Sequence, residues 1–196
     1  TVGQVTTTNT GATAVTLTST EGGIVDGGDT GGADVIAGGR LVIDAVTGVG
    51  NGGAIETTVA SVDIDNATSG NIEINETNAI TVLKAVQGTA GNIGIAAGGT
   101  ITVDNAGAGN AIAAAGSGVI TLDALGTASD LLVNDGILSV NGAITLTADN
   151  DVIFEATGDI ASTAGAVTIT ADDDNGGASS GALTMANGTV INAGSG

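Results

Sequence analysis

Cysteine, histidine, proline, tryptophan and tyrosine are absent from this chain, and phenylalanine occurs once, as Phe154. Without cysteine there is no disulfide framework, no thiolate metal site and no cysteine nucleophile. With a single aromatic side chain and 35 glycines, the interior differs from an ordinary globular core, which relies on large aromatic and aliphatic groups. Any core that forms must be narrow.

Positive charge is scarce as well. Two basic residues, Arg40 and Lys84, stand against 21 acidic ones, for a net charge of -19. Such a chain repels nucleic acid and anionic membrane surfaces, and cations are its natural partners. No apolar run approaches the ~20 residues that cross a bilayer, so membrane insertion is not expected. The segment Thr1-Val2-Gly3-Gln4 lacks the basic and apolar regions of a signal peptide, so any export signal is expected to have been removed or to lie outside this sequence. Disorder is disfavoured, because hydrophobic residues make up 42% and mean hydropathy is +0.42.

What the chain does have is a repeat. Between Ile137 and Ser195 it overlays on itself at a shift of 23, which aligns Ile137, Ile160 and Leu183 in one column. Ile144, Val167 and Val190 form a second column, and Gly142, Gly165 and Gly188 a third. Each unit alternates apolar and polar residues after a small one, as in Gly142-Ala143-Ile144-Thr145-Leu146-Thr147-Ala148, the mark of a half-buried strand. Upstream the step is 21: Leu41, Val62 and Leu83 align, as do Ile43 and Ile64, and Val59, Ile80, Ile101 and Leu122. Gly70-Asn71-Ile72-Glu73-Ile74 matches Gly91-Asn92-Ile93-Gly94-Ile95 at the same step.

A short strand motif repeated at this period indicates an all-β solenoid, since one coil cannot bury its own apolar face. The reading is a parallel β-helix over residues 1–196, with irregular first coils at 1–40, coils of period 21 at 41–124 and coils of period 23 at 125–196. Loop expansions are expected between Asn105 and Gly118, and where the step changes between Leu122 and Ile144. Three short strands per coil at ~4.8 Å spacing give about nine coils and a rod roughly 40 Å long. Ile, Val and Leu point inward, Thr, Asp and Glu outward, and Gly and Asn take the corners. Coils this long resemble right-handed β-helices more than left-handed ones, whose hexapeptide repeats are shorter.

The segments Gly142 to Ala148, Thr157-Gly158-Asp159-Ile160 and Gly165-Ala166-Val167-Thr168-Ile169-Thr170-Ala171 resemble the β-helical shafts of filamentous-haemagglutinin-like exoproteins and other large bacterial adhesins. The resemblance covers residues 41–196. It implies a secreted or cell-surface bacterial rod that binds a receptor, surface or glycan and performs no chemistry along its shaft. Neither end reads as a cap, so further repeats or neighbouring copies are expected to stack end to end. The alternative is a self-assembling extracellular fibre or sheath subunit.

Acidic turns are the candidate sites. The 23-residue step sets Asp149 over Asp172 and Asp151 over Asp174. Stacked like charges repel, and a hard cation with oxygen ligands such as Ca²⁺ relieves them. The bland reading is a solvated acidic face, which also serves for the pair Asp44 and Asp65. A carbohydrate-active β-helix enzyme is the reading from another class, and three convergent carboxylates in a groove would favour it. The scarcity of aromatic and basic residues argues against it, so no catalytic residue is assigned. The Thr-x-Thr pairs, Thr145 and Thr147 above Thr168 and Thr170, are expected to end as a ladder after two coils.

Overall fold

The computed structural model describes residues 1–28, 32–105, 107–173 and 181–194. All the regular structure in these residues is β. The strands begin with β1 (Val5–Thr6), β2 (Val15–Thr18), β3 (Val35–Ile36), β4 (Arg40–Ala45) and β5 (Ile55–Thr58). Next come β6 (Ser61–Asn66), β7 (Ile72–Glu76), β8 (Ile80–Gln87), β9 (Ile93–Ala97) and β10 (Ile101–Val103). They continue as β11 (Ile112–Ala114), β12 (Ile120–Ala124), β13 (Leu131–Val133), β14 (Ile137–Ser139) and β15 (Ile144–Ala148). The last are β16 (Val152–Phe154), β17 (Ile160–Ser162), β18 (Val167–Ala171), β19 (Leu183–Met185) and β20 (Ile191–Asn192).

Every pairing is parallel and joins one coil to the next, which makes the molecule a β-solenoid of about 7 turns. One face is an 8-stranded sheet in the order β1-β3-β5-β7-β9-β12-β15-β18. The remaining strands form a 12-stranded sheet that runs β2, β4, β6, β8 and then forks. One branch is β10-β13-β16-β19 and the other is β11-β14-β17-β20, because β8 pairs with β10 through Ile80–Val82 and with β11 through Ala85–Gln87. The segment 104–111 lies between β10 and β11. Early coils therefore have two strands, and later coils three.

Alternation sets the packing. In β15 the Ile144, Leu146 and Ala148 side chains are buried, while Thr145 and Thr147 between them are half-buried on the outside. Ile72, Ile93, Ile120 and Ile144 stack as one ladder, and Ile74, Ile95, Leu122 and Leu146 as its neighbour. Each such side chain contributes about 1.5–3 kcal/mol relative to exposure, which is how a nearly aromatic-free interior holds together. Phe154, the largest buried side chain, stacks on Val133.

Corners show why glycine is so frequent. A Cβ on Gly142 would run into the backbone carbonyl of Gly118 one coil below, and a Cβ on Gly165 into that of Gly142. Ser139 and Ser162 tie these corners down: Ser139 Oγ donates to the Gly118 carbonyl at 2.7 Å and accepts from Gly142 N at 2.8 Å. Ser162 repeats the pattern on Gly142 and Gly165. Three and two coils before Ser139, Asn66 and Gln87 occupy the same column, and Asn66 Nδ2 donates to Gln87 Oε1 at 3.0 Å.

Several expected columns shift. Leu83 does not stack on Val62; Val82 does, because a bulge between Val62 and Asp63 turns Leu83 outward. Ile101 is followed by Leu131 rather than Leu122, since the 104–111 segment lengthens the coil, and Leu122 belongs to the other sheet. Leu183 stacks on Val152 and Ile191 on Ile160, so Leu183 and Val190 leave the columns of Ile160 and Val167. Gly188 likewise does not continue the Gly142 and Gly165 corner; its nearest neighbours are in Ala156. Inter-coil steps consequently range from 19 residues, Thr57 to Glu76, to 31, Asp151 to Ala182. The longer coils reduce the expected nine turns to about 7, a stack of roughly 35 Å at ~4.8 Å per coil.

Candidate functional site

Acidic and amide side chains recur at one structural position, the residue just before a strand. Their side-chain oxygen accepts the backbone N–H of the equivalent residue in the next coil. Asn71 holds Asn92 N at 3.0 Å, and Asn92 holds Val119 N at 2.9 Å. Asp130 holds Asp151 N at 3.2 Å, Asp151 holds Ala182 N at 2.7 Å, and Asp159 holds Val190 N at 2.8 Å. These side chains clasp successive coils at points where the strand ladder has not yet begun.

The residues expected to hold Ca²⁺ fall partly into this scheme. Asp151 is a clasp, and its Oδ1 is directed at an amide. Asp149 Oδ2 accepts Gly126 N, again across one coil. Asp149 does lie one coil below Asp172, since β15 and β18 are in register up to Ala148 and Ala171. Asp172 adopts a left-handed backbone, φ 61°, and its Oδ1 is buried with no partner among the described residues. Asp174 lies outside the described residues. Among those described, Asp149, Asp151 and Asp172 do not bring their oxygens together as a group of metal ligands. Nearby, burial raises the pKa of Asp123, with Asp149 and Asp173 adding to the effect.

Elsewhere two acidic side chains are paired with the two basic ones. Asp44 and Asp65 stack as expected, and Lys84 pairs with Asp65. Arg40 pairs with Asp63 at 3.6 Å. Both basic residues are thus engaged on the β4-β6-β8 surface. Glu76, 4% exposed, reaches into the interior. There it accepts from Thr57 Oγ1 at 2.7 Å, Val59 N at 3.0 Å and Asn78 N at 3.2 Å. Burial raises its pKa, and those hydrogen bonds oppose the rise.

Three carboxylates do converge, in a place the periodicity does not mark. Asp26, Asp34 and Glu56 each offer an oxygen, and these oxygens all lie within 4.8 Å of one another. Asp34 precedes β3, and Glu56 sits beside it in the next coil because Val35 pairs with Thr57. Asp26 is brought in by bridges from Val2 to Asp26 and from Ile24 to Val49. Asp34 Oδ2 acts as a clasp, accepting Glu56 N at 3.1 Å, and Asp26 Oδ1 accepts Gly28 N at 2.8 Å. Asp34 is fully buried, 0% exposed, and its Oδ1, like Glu56 Oε2, has no hydrogen-bond partner among the described residues. Burial, reinforced by the Asp26 and Glu56 carboxyls, pushes the Asp34 pKa up to about 6. An Asx residue directly before an apolar strand start was the available sequence signal, but Asp26 joins through an irregular loop that no repeat announces.

The outer surface carries shallower features. A hollow of about 500 Å³ opens beside the fork, with Asp104, Asp135 and Asp159 among its lining residues. Asp159 is committed to Val190 N, and Asp135 Oδ1 accepts Gly136 N. The threonine ladder is one rung longer than expected, since Thr121 precedes Thr145 and Thr168.

Comparison with protein-family models, curated proteins and solved structures finds no match.

Proposed function

We propose that this chain is a segment of a non-catalytic rod outside the cell, an adhesin-type shaft whose coils continue along the axis. The observation that carries this reading is the apolar surface of the last coil. Leu183 is 51% exposed and Met185 45% exposed, although they stack in register on the fully buried Val152 and Phe154. They occupy core columns with no following coil over them among the described residues, and they lie beside open strand edges, which template a further layer. Neighbouring repeats of the same chain, or another copy, fit that face. The rest of the molecule supports a spacer: coils are clasped to one another by side-chain oxygens, and most acidic groups are spent on amides or ion pairs.

The experiment is sedimentation velocity and negative-stain imaging of wild type beside Leu183→Lys/Met185→Lys. Concentration-dependent end-to-end species that the double variant abolishes would support the reading, and long fibres would favour the sheath-subunit alternative. A monomer of unchanged length at every concentration, with the apolar face still exposed, would argue against axial stacking of copies. Adhesion is tested separately, by binding of the folded chain to glycan and cell surfaces.

A further inference from the structure

We propose that Asp26, Asp34 and Glu56 form a binding site for one Ca²⁺ ion that pins the first coils of the solenoid together. The convergence of three carboxylates is the first observation, and by itself it describes only an acidic patch. The second is the state of Asp34. Its side chain is 0% exposed, one oxygen serves the Glu56 amide, and the other is buried without a partner among the described residues. A buried carboxylate oxygen with nothing to accept from carries a full desolvation penalty. Glu56 Oε2 is in the same condition beside it.

No basic side chain resolves the conflict. The chain has two, and they pair with Asp63 and Asp65. Three negative charges at this spacing in a partly dry site repel strongly, and a divalent cation converts the repulsion into attraction. The geometry suits calcium. Two oxygens on one Ca²⁺, each ~2.4 Å from it, lie at most about 4.8 Å apart, and the ion accepts irregular carboxylate sets with water filling the rest of six to eight positions. All three ligand oxygens fall within that span.

The three ligands come from three parts of the chain. Asp26 lies in the loop after the Ile24 bridge, Asp34 at the start of β3 and Glu56 in β5 one coil later. An ion there ties Asp26 to two coils, in a stretch where β1 and β3 have only two residues each. In the same place a shared proton between Asp34 and Glu56 is the competing arrangement, and it makes a different forecast for calcium.

The test uses the full chain stripped with chelator, then titrated with CaCl₂ and, separately, MgCl₂ by calorimetry and thermal unfolding. Asp34→Asn, Glu56→Gln and Asp151→Asn are run in parallel. Wild type and Asp151→Asn should bind one Ca²⁺ per chain and unfold at higher temperature with it. Asp34→Asn and Glu56→Gln, which keep the shape of the site, should each weaken binding at least ~10-fold, the loss of one carboxylate ligand. Absence of binding heat and of any midpoint shift at ~10 mM Ca²⁺ would overturn the proposal and leave the shared proton. Full binding by both site variants, or a tighter response to Mg²⁺ than to Ca²⁺, would overturn it as well.

Discussion

Two acidic regions of this molecule look alike in composition and differ in what their oxygens do. Around Asp149 to Asp172 the carboxylates recur at a regular step, and the ones with assigned partners are turned toward backbone amides of adjacent coils. Each region has buried oxygens without donors among the described residues, Asp172 Oδ1 in the first and Asp34 Oδ1 and Glu56 Oε2 in the second, but only around Asp26, Asp34 and Glu56, where the step is irregular, do three carboxylates also converge. Periodicity in a solenoid marks what the stack needs to close, and clasping residues repeat for that reason. The candidate site stands out where the pattern is broken and several carboxylates converge on oxygens that lack donors.

That contrast can be broken by mutation. The largest effect is expected at Glu76, where carboxylate loss is purely structural. Glu76→Ala strands the Thr57 hydroxyl and the Val59 amide in the interior and should cost about 3 kcal/mol in urea unfolding, the same with calcium or chelator. Asp130→Ala comes next. It removes the acceptor for Asn150 Nδ2 at 2.7 Å and for Asp151 N at 3.2 Å, so a loss of about 2 kcal/mol is expected, again independent of calcium.

Asp34→Asn should behave in the opposite sense. In chelator it removes a like charge from the cluster while keeping the acceptor for Glu56 N, and should raise stability by about 1 kcal/mol. A destabilisation as large as that of Asp130→Ala, with calcium response intact, would place Asp34 among the ordinary clasps.

The smallest effect is a slope with pH. Glu76 has its pKa raised above the ordinary 4.5 by burial, so the folded state holds the proton more tightly than the unfolded one. That contribution is fully present below 4.5 and is lost as pH rises through the raised folded value. Denaturation midpoints measured in chelator from acid toward neutral pH should therefore fall, with Asp34 and Asp123, whose pKa values are also raised, acting in the same direction, and Glu76→Gln should make the fall shallower. A midpoint that climbs over the same range would reverse the assignment.

Much of the stack was legible in the chain because neighbouring coils of equal length preserve register. The pairs Ile43 with Ile64, Ile72 with Ile93 and Ile144 with Val167 follow from counting alone. Counting fails where the backbone spends residues without advancing the coil. Leu83 is itself the extra, unpaired residue of the bulge opposite Val62 and Asp63, and the longer coil between β10 and β13 moves Ile101 from Leu122 to Leu131. The later 31-residue step displaces Leu183 in the same way. Candidate sites suffered more than the core. Asp149 and Asp172 stack as counted, but stacking alone does not say whether an oxygen already holds an amide. Asp26 reaches Asp34 through bridges at Val2 and Ile24 that have no repeat signature.

Local amide hydrogen exchange with and without Ca²⁺ compares the two regions in one experiment. The expected result is calcium-dependent slowing at residues 24–28, 34–36 and 55–58, with the turns at Asp149 to Asp151 and at Asp172 unchanged. Slowing confined to those later turns, or no change anywhere at saturating calcium, would contradict the account.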